Sequence, residues 1–206
     1  MGIAAVRKRL AVGLIAVAAV GCLRMPAFPS LEEVTDPVED DSLVGRWKEI
    51  DTVFGSAAEK YATGRQVEIS RTGAGYALTF VDGLGSRSSP EEFVLFEIAG
   101  RQYVQASLGP APNGAVADRF AIQLLERGRD ALRLRPLNNL WVEQRFARRD
   151  DGWTARIEAT PEEVRAALEE PPENAFCMEG SSYWLREQKN QEPKQAASVE
   201  GSSRDD

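Results

Sequence analysis

Between residues 66 and 134 apolar side chains recur at every second position, and turn-forming residues break the run about every 8–12 residues. Gln66-Val67-Glu68-Ile69 alternates, RTGAG at 71–75 supplies a turn, and Tyr76, Leu78 and Phe80 then share one face. Residues 93–98 and 102–106 flank Ala99-Gly100, a tight hairpin signal. Phe120, Ile122 and Leu124 share a face, as do Leu132 and Leu134 beyond the turn at Arg127-Gly128. A period of two places successive side chains on opposite faces of a strand, so this stretch reads as three consecutive hairpins in an antiparallel meander. One face meets a core and the other meets water. So long a meander must close on itself or be covered, because open edges recruit other strands. The expected fold is mainly β, a β-rich α+β domain: a small barrel or a curved sheet with one or two short helices packed on it.

Two segments break the strand pattern. Thr160-Pro161-Glu162-Glu163 starts a helix: Thr160 caps, Pro161 suits the first position, and Glu163 reaches back to complete a capping box. Val164 and Leu168 fall on one face, and Pro171-Pro172 stops the helix. Residues 138–147 are predicted helical with Leu137, Leu140 and Trp141 on one face, although Leu140, Val142, Gln144 and Phe146 also fit a strand. Residues 153–159 and 183–185 read as late strands.

At the start of the domain, Gly45-Arg46-Trp47 within LVGRWKE resembles the G-x-W of lipocalin-type barrels. That resemblance implies a barrel whose floor is crossed by Trp47, a structural residue. It also implies a carrier of a small apolar ligand, with a cavity lined by Trp47, Tyr76, Phe80, Phe96 and Tyr103. The order of the last helix and strand departs from the family pattern.

The ends of the chain carry an address. Arg7, Lys8 and Arg9 precede an apolar run over 10–20, and Gly21 and Cys22 close it. A basic start, a short apolar core and small residues before a cleavage point make a secretory signal. The run is about half the ~20 residues a spanning helix needs. Ala19-Val20-Gly21-Cys22 resembles the lipobox of bacterial lipoproteins, with Ala19 at the place usually held by leucine. The resemblance implies removal of residues 1–21, lipid on the Cys22 thiol and a stable anchor. Leu23 after the cysteine, rather than aspartate, implies the outer membrane facing the periplasm. Cleavage removes three basic residues and no acid, so 22 Lys and Arg remain against 32 Asp and Glu, a net charge near −10. That balance disfavours nucleic acid as a partner and leaves the covalent lipid as the contact with the membrane.

Residues 22–41 hold Pro26, Pro29 and Pro37 and six acids from Glu32 to Asp41, a composition expected of a disordered, extended tether. Residues 188–206 read as a disordered tail, leaving 42–187 as a single β-rich domain.

No histidine occurs, which excludes Ser-His-Asp and Cys-His catalysis within the chain and removes the commonest zinc ligand. With Cys22 lipidated, Cys177 is the only other cysteine; it lies between Phe176 and Met178 and is expected to be buried. Asp82-Gly83-Leu84-Gly85-Ser86 reads as a connecting loop, since no helix start follows it. Asp150-Asp151-Gly152 reads as a turn. No catalytic residue, metal ligand set or cofactor is expected. The reading is a lipid-anchored envelope protein, not an enzyme, that acts as a binding or interaction module. Its partner is either another envelope protein or, in the carrier alternative, a small apolar ligand; a carboxylate-based enzyme is a third reading.

Overall fold

The computed structural model describes residues 25–50, 62–73, 75–109, 119–151, 154–177 and 181–187. The signal, Cys22 and the tail lie outside the described residues. Among the described residues eleven strands are present: β1 (Met25–Ala27), β2 (Gly45–Ile50), β3 (Ala62–Thr72), β4 (Gly75–Val81), β5 (Glu91–Ile98), β6 (Arg101–Ser107), β7 (Phe120–Arg127), β8 (Ala131–Pro136), β9 (Arg148–Asp151), β10 (Thr154–Ile157) and β11 (Ser182–Arg186). Helices α1 (Asn139–Arg145) and α2 (Pro161–Glu169) lie late in the chain. Strands β2 to β8 follow one another as an antiparallel meander, and β11 pairs with both β8 and β2. The sheet is therefore a closed eight-stranded barrel, the closed form of the two expected. Closure satisfies both edge strands.

The hairpins form where the alternation placed them. Ile69 faces Leu78 and Phe96 faces Tyr103 across their ladders. Ala99 and Gly100 both take positive φ (50° and 75°), the conformation of a two-residue hairpin whose twist matches its strands. Gly75 is required by a close approach: a Cβ there would stand 2.5 Å from the Phe93 carbonyl oxygen. The barrel interior is a packed core that includes Trp47, Val67, Ile69, Leu78, Leu95, Leu125 and Trp184.

A second core lies outside the barrel wall. Phe96, Ile98, Tyr103, Ile122 and Leu124 point outward from β5, β6 and β7 and are covered by Phe28, Leu31, Val164, Leu168 and Phe176. The covering layer comprises α2, the Glu173–Ala175 turn, α1 and a small sheet in the order β1-β10-β9. These wall strands are buried on both faces, so their sequences run apolar almost continuously, as in AIQLL of β7. The wall from β2 to β4 instead shows Arg46, Lys48, Gln66 and Glu68 to the outside and keeps the half-buried alternation.

The two helices begin as expected. Thr160 Oγ1 accepts from Glu163 N–H at 3.3 Å and Glu163 Oε2 accepts from Thr160 N–H at 2.8 Å. Asn138 Oδ1 caps α1 through Leu140 N–H at 2.9 Å. The face of α1 differs from the expected one: Val142 is the buried residue, and Leu140 is 63% exposed. Asp150 and Asp151 belong to β9 rather than to a turn.

The main correction concerns residues 25–41. They are folded onto the barrel, not extended as a tether, from Met25, the first described residue, onward. β1 runs parallel to β10, Phe28 exchanges backbone hydrogen bonds with Phe120 at 2.9 and 3.1 Å, and Val38 N–H donates to Leu95 O at 2.7 Å. Phe28 and Leu31 are 1% and 0% exposed. Gln105, buried on the outer face of β6, fastens the segment: its Oε1 accepts from Leu31 N–H at 3.0 Å. Composition pointed to disorder, but the segment needs only a few large apolar residues because the outer wall supplies the rest of its core.

Candidate functional site

The five residues expected to line one cavity do not come together. Trp47 and Tyr76 point into the barrel, with Phe80 half-buried beside that core. Phe96 and Tyr103 point outward into the second core. Tyr103 donates to the carbonyl of Leu168 at 2.9 Å and ties the end of α2 to the wall; burial pushes its phenol pKa up. Among the described residues, the pocket inside the barrel bounded by Leu43, Ile69, Phe93, Val104, Leu132, Trp184 and their neighbours has a volume of about 10 Å³. That is one water's worth, against the several hundred Å³ of a usual small-molecule pocket. Among the described residues the interior is filled by the chain's own side chains.

One end of the barrel is closed by residues 39–43. Leu43, in the short Asp41–Leu43 turn, drops into the interior, and the Trp47 indole N–H donates to its carbonyl at 2.9 Å. The Arg186 guanidinium lies 4.4 Å from the centre of the Trp47 ring and also donates to Ser42 O. Tyr76 stacks on Phe93 at 5.2 Å, and its hydroxyl accepts from Asp40 N–H. Trp47 thus crosses the barrel floor in a structural role, and Tyr76 has its hydroxyl committed to the same closure.

Charged side chains lace this end. Arg71 reaches Asp41 at 2.8 Å and Glu39 at 2.9 Å, and Arg127 pairs with Asp40. Burial alone would raise the Asp40 carboxyl, but hydrogen bonds from Ser42 and the Arg127 guanidinium outweigh it and hold the group below the ordinary carboxylate range. A carboxylate lowered on folding contributes its full stability above its unfolded value near pH 4 and loses it as pH falls through the lower folded value. Asp40→Asn is therefore expected to melt below the parent at neutral pH and to converge with it as pH falls below about 4, in melting curves taken across that range.

On the outer wall, Arg135 is almost fully buried and is held by Glu126 at 3.0 Å and Glu173 at 2.9 Å, with Phe176 under its guanidinium. It pins the Glu173–Ala175 turn to β8. Beside it lies an open groove of about 410 Å³ lined by Glu97, Arg101, Gln102, Glu126, Arg127 and Glu173. Three of its charged side chains are engaged from outside the lining: Glu126 and Glu173 pair with Arg135, and Arg127 pairs with Asp40. Cys177 is half-buried rather than fully buried, its Sγ 3.9 Å from Leu137 O. The 82–86 loop is a connection, as expected: Asp82 Oδ1 accepts from Leu84 and Ser86 N–H at 2.9 and 2.8 Å. Among the described residues no three His, Cys, Asp or Glu side chains are placed to hold a metal, and no helix is long and apolar enough to cross a membrane.

Sequence reasoning missed Gln105 and Arg135, because each acts through residues far along the chain: Gln105 on Leu31 and Arg135 on Glu173. A glutamine among Tyr103, Val104 and Ala106 was the available signal for Gln105.

The fold defines a small closed antiparallel β-barrel with a helical and β outer layer. Comparison with family models, with curated proteins and with solved structures finds no match.

Proposed function

We propose that this is a lipid-anchored protein of the bacterial envelope whose barrel is a rigid interaction module. Residues 1–22 support the address: a basic start, a short apolar run and a lipobox-like AVGC, with Cys22 as the lipid attachment site. Leu23 favours the outer membrane, with the barrel in the periplasm. The observation that carries the module reading is the filled interior, about 10 Å³. A barrel whose described interior is filled offers its surface to a partner and serves as a scaffold for it, whereas a carrier must enclose its ligand.

Two measurements test the two halves of the reading. Cys22→Ala is expected to abolish incorporation of labelled palmitate and to release the protein from the membrane fraction; retained label and membrane association would overturn the anchor. Native mass spectrometry of residues 25–187 produced in bacteria is expected to give the mass of the bare polypeptide. A co-purified apolar molecule would instead support the lipocalin-like carrier.

A further inference from the structure

We infer that the end of the molecule formed by β1, α1 and the β9–β10 hairpin rests on the membrane, against acidic phospholipid headgroups. The inference rests on the lipid at Cys22 and goes beyond it by naming the face and the lipid chemistry. Only Leu23 and Arg24 separate Cys22 from Met25, three backbone steps, and Met25 is held in register with Thr154 of β10. An extended chain covers at most about 3.6 Å per residue, so the anchor lies within about 11 Å of that strand. No long tether holds the domain off the bilayer, and the elements around Met25 must face it.

The exposed chemistry at this end suits that position. Leu140 is 63% exposed on α1. One helical turn on, Glu143 pairs with Arg148 of β9, which brings the hairpin alongside the helix. The next residue, Arg149, stands directly opposite Arg156 on β10, and both are exposed. Like charges directly opposite on one face of a hairpin repel. Among the described residues Arg145, Arg149 and Arg156 have no ion-pair partner. Acids are also present here, Glu143, Glu158, Asp150 and Asp151; Glu143 is taken by Arg148, and Asp150 is in register with Ala155 rather than with an arginine. In a mature chain with a net charge near −10, a repelling arginine pair beside an exposed leucine fits lipid phosphates below and acyl chains beyond them.

The test uses the full chain, lipidated in bacteria, carrying Cys177→Ser and Leu140→Cys and labelled with a polarity-sensitive fluorophore; the lipidated Cys22 sulfur does not react. A second protein carries the label through Arg129→Cys, in the β7–β8 turn at the opposite end of the barrel. Each is reconstituted into neutral phosphatidylcholine vesicles and into vesicles mixed with phosphatidylglycerol. The label at position 140 is expected to shift to shorter wavelength, more so with phosphatidylglycerol, and the label at 129 is expected to stay at its aqueous wavelength. Arg149→Glu with Arg156→Glu is expected to remove the phosphatidylglycerol-dependent part of the shift. A lipid mass at Cys22 with an aqueous signal at 140 overturns the inference while the anchor stands. An equal shift in both vesicle types overturns the acidic-lipid assignment. Absence of lipid at Cys22 overturns the anchor and the inference together.

Discussion

Phe28→Ala is expected to lower the stability of the domain by about 3–4 kcal/mol, the usual cost of deleting a buried aromatic ring. For a folded unit of this size that is a fall of roughly 6–16 °C in melting temperature. Phe28 is 1% exposed, packs edge-to-face on Phe146 at 6.3 Å, and sits in the core shared with Phe96, Tyr103 and Ile122. Its removal leaves a cavity between the segment and the wall that neither side can close. Gln105→Leu probes the same contact through its polar fastening: the Leu31 N–H then loses its acceptor, which costs about 1–3 kcal/mol for a buried donor. Thermal unfolding by circular dichroism reads both. If residues 25–41 were a solvated tether, both substitutions would leave the barrel's melting temperature unchanged, so a flat result overturns the packed segment.

That contrast shows which parts of the fold the sequence exposes. The hairpins are legible because their signals are local. Ala99-Gly100 sits between two alternating runs, and the Thr160/Glu163 capping box spans a single turn. Closure is not legible, because it depends on β11 meeting β2, more than a hundred residues earlier. The choice of inner face fails for a related reason. In β5 to β7 both faces are buried, so alternation no longer separates inside from outside, and Phe96 and Tyr103 read like Tyr76 although they point the opposite way. The segment at 25–41 misleads through composition. Its prolines and acids dominate any average, yet Phe28 and Leu31 alone meet a wall that already presents a continuous apolar surface. The proposed anchor rests on residues 1–22, which lie outside the described residues.

Trp47→Ala is the second large effect, about 3–5 kcal/mol, again the range for removing a fully buried large aromatic side chain. Three contacts depend on this residue. Its ring fills the barrel floor, its N–H holds the Leu43 carbonyl at 2.9 Å, and its face carries Arg186 at 4.4 Å. Trp47→Phe separates them. Phenylalanine keeps an aromatic surface for Arg186 but cannot donate to Leu43, so it is expected to lose about 1–2 kcal/mol, the worth of one buried hydrogen bond with some lost packing. The expected order of melting temperature is parent, then Trp47→Phe, then Trp47→Ala. A residue held for an apolar ligand behaves in the opposite way: truncation would open the barrel's interior, weaken ligand binding and leave the melting temperature of the ligand-free protein nearly unchanged. A Trp47→Ala protein that melts with the parent would therefore overturn the structural role of the floor and favour the carrier, whereas a fall of roughly 6–20 °C places Trp47 among the residues that hold the barrel closed.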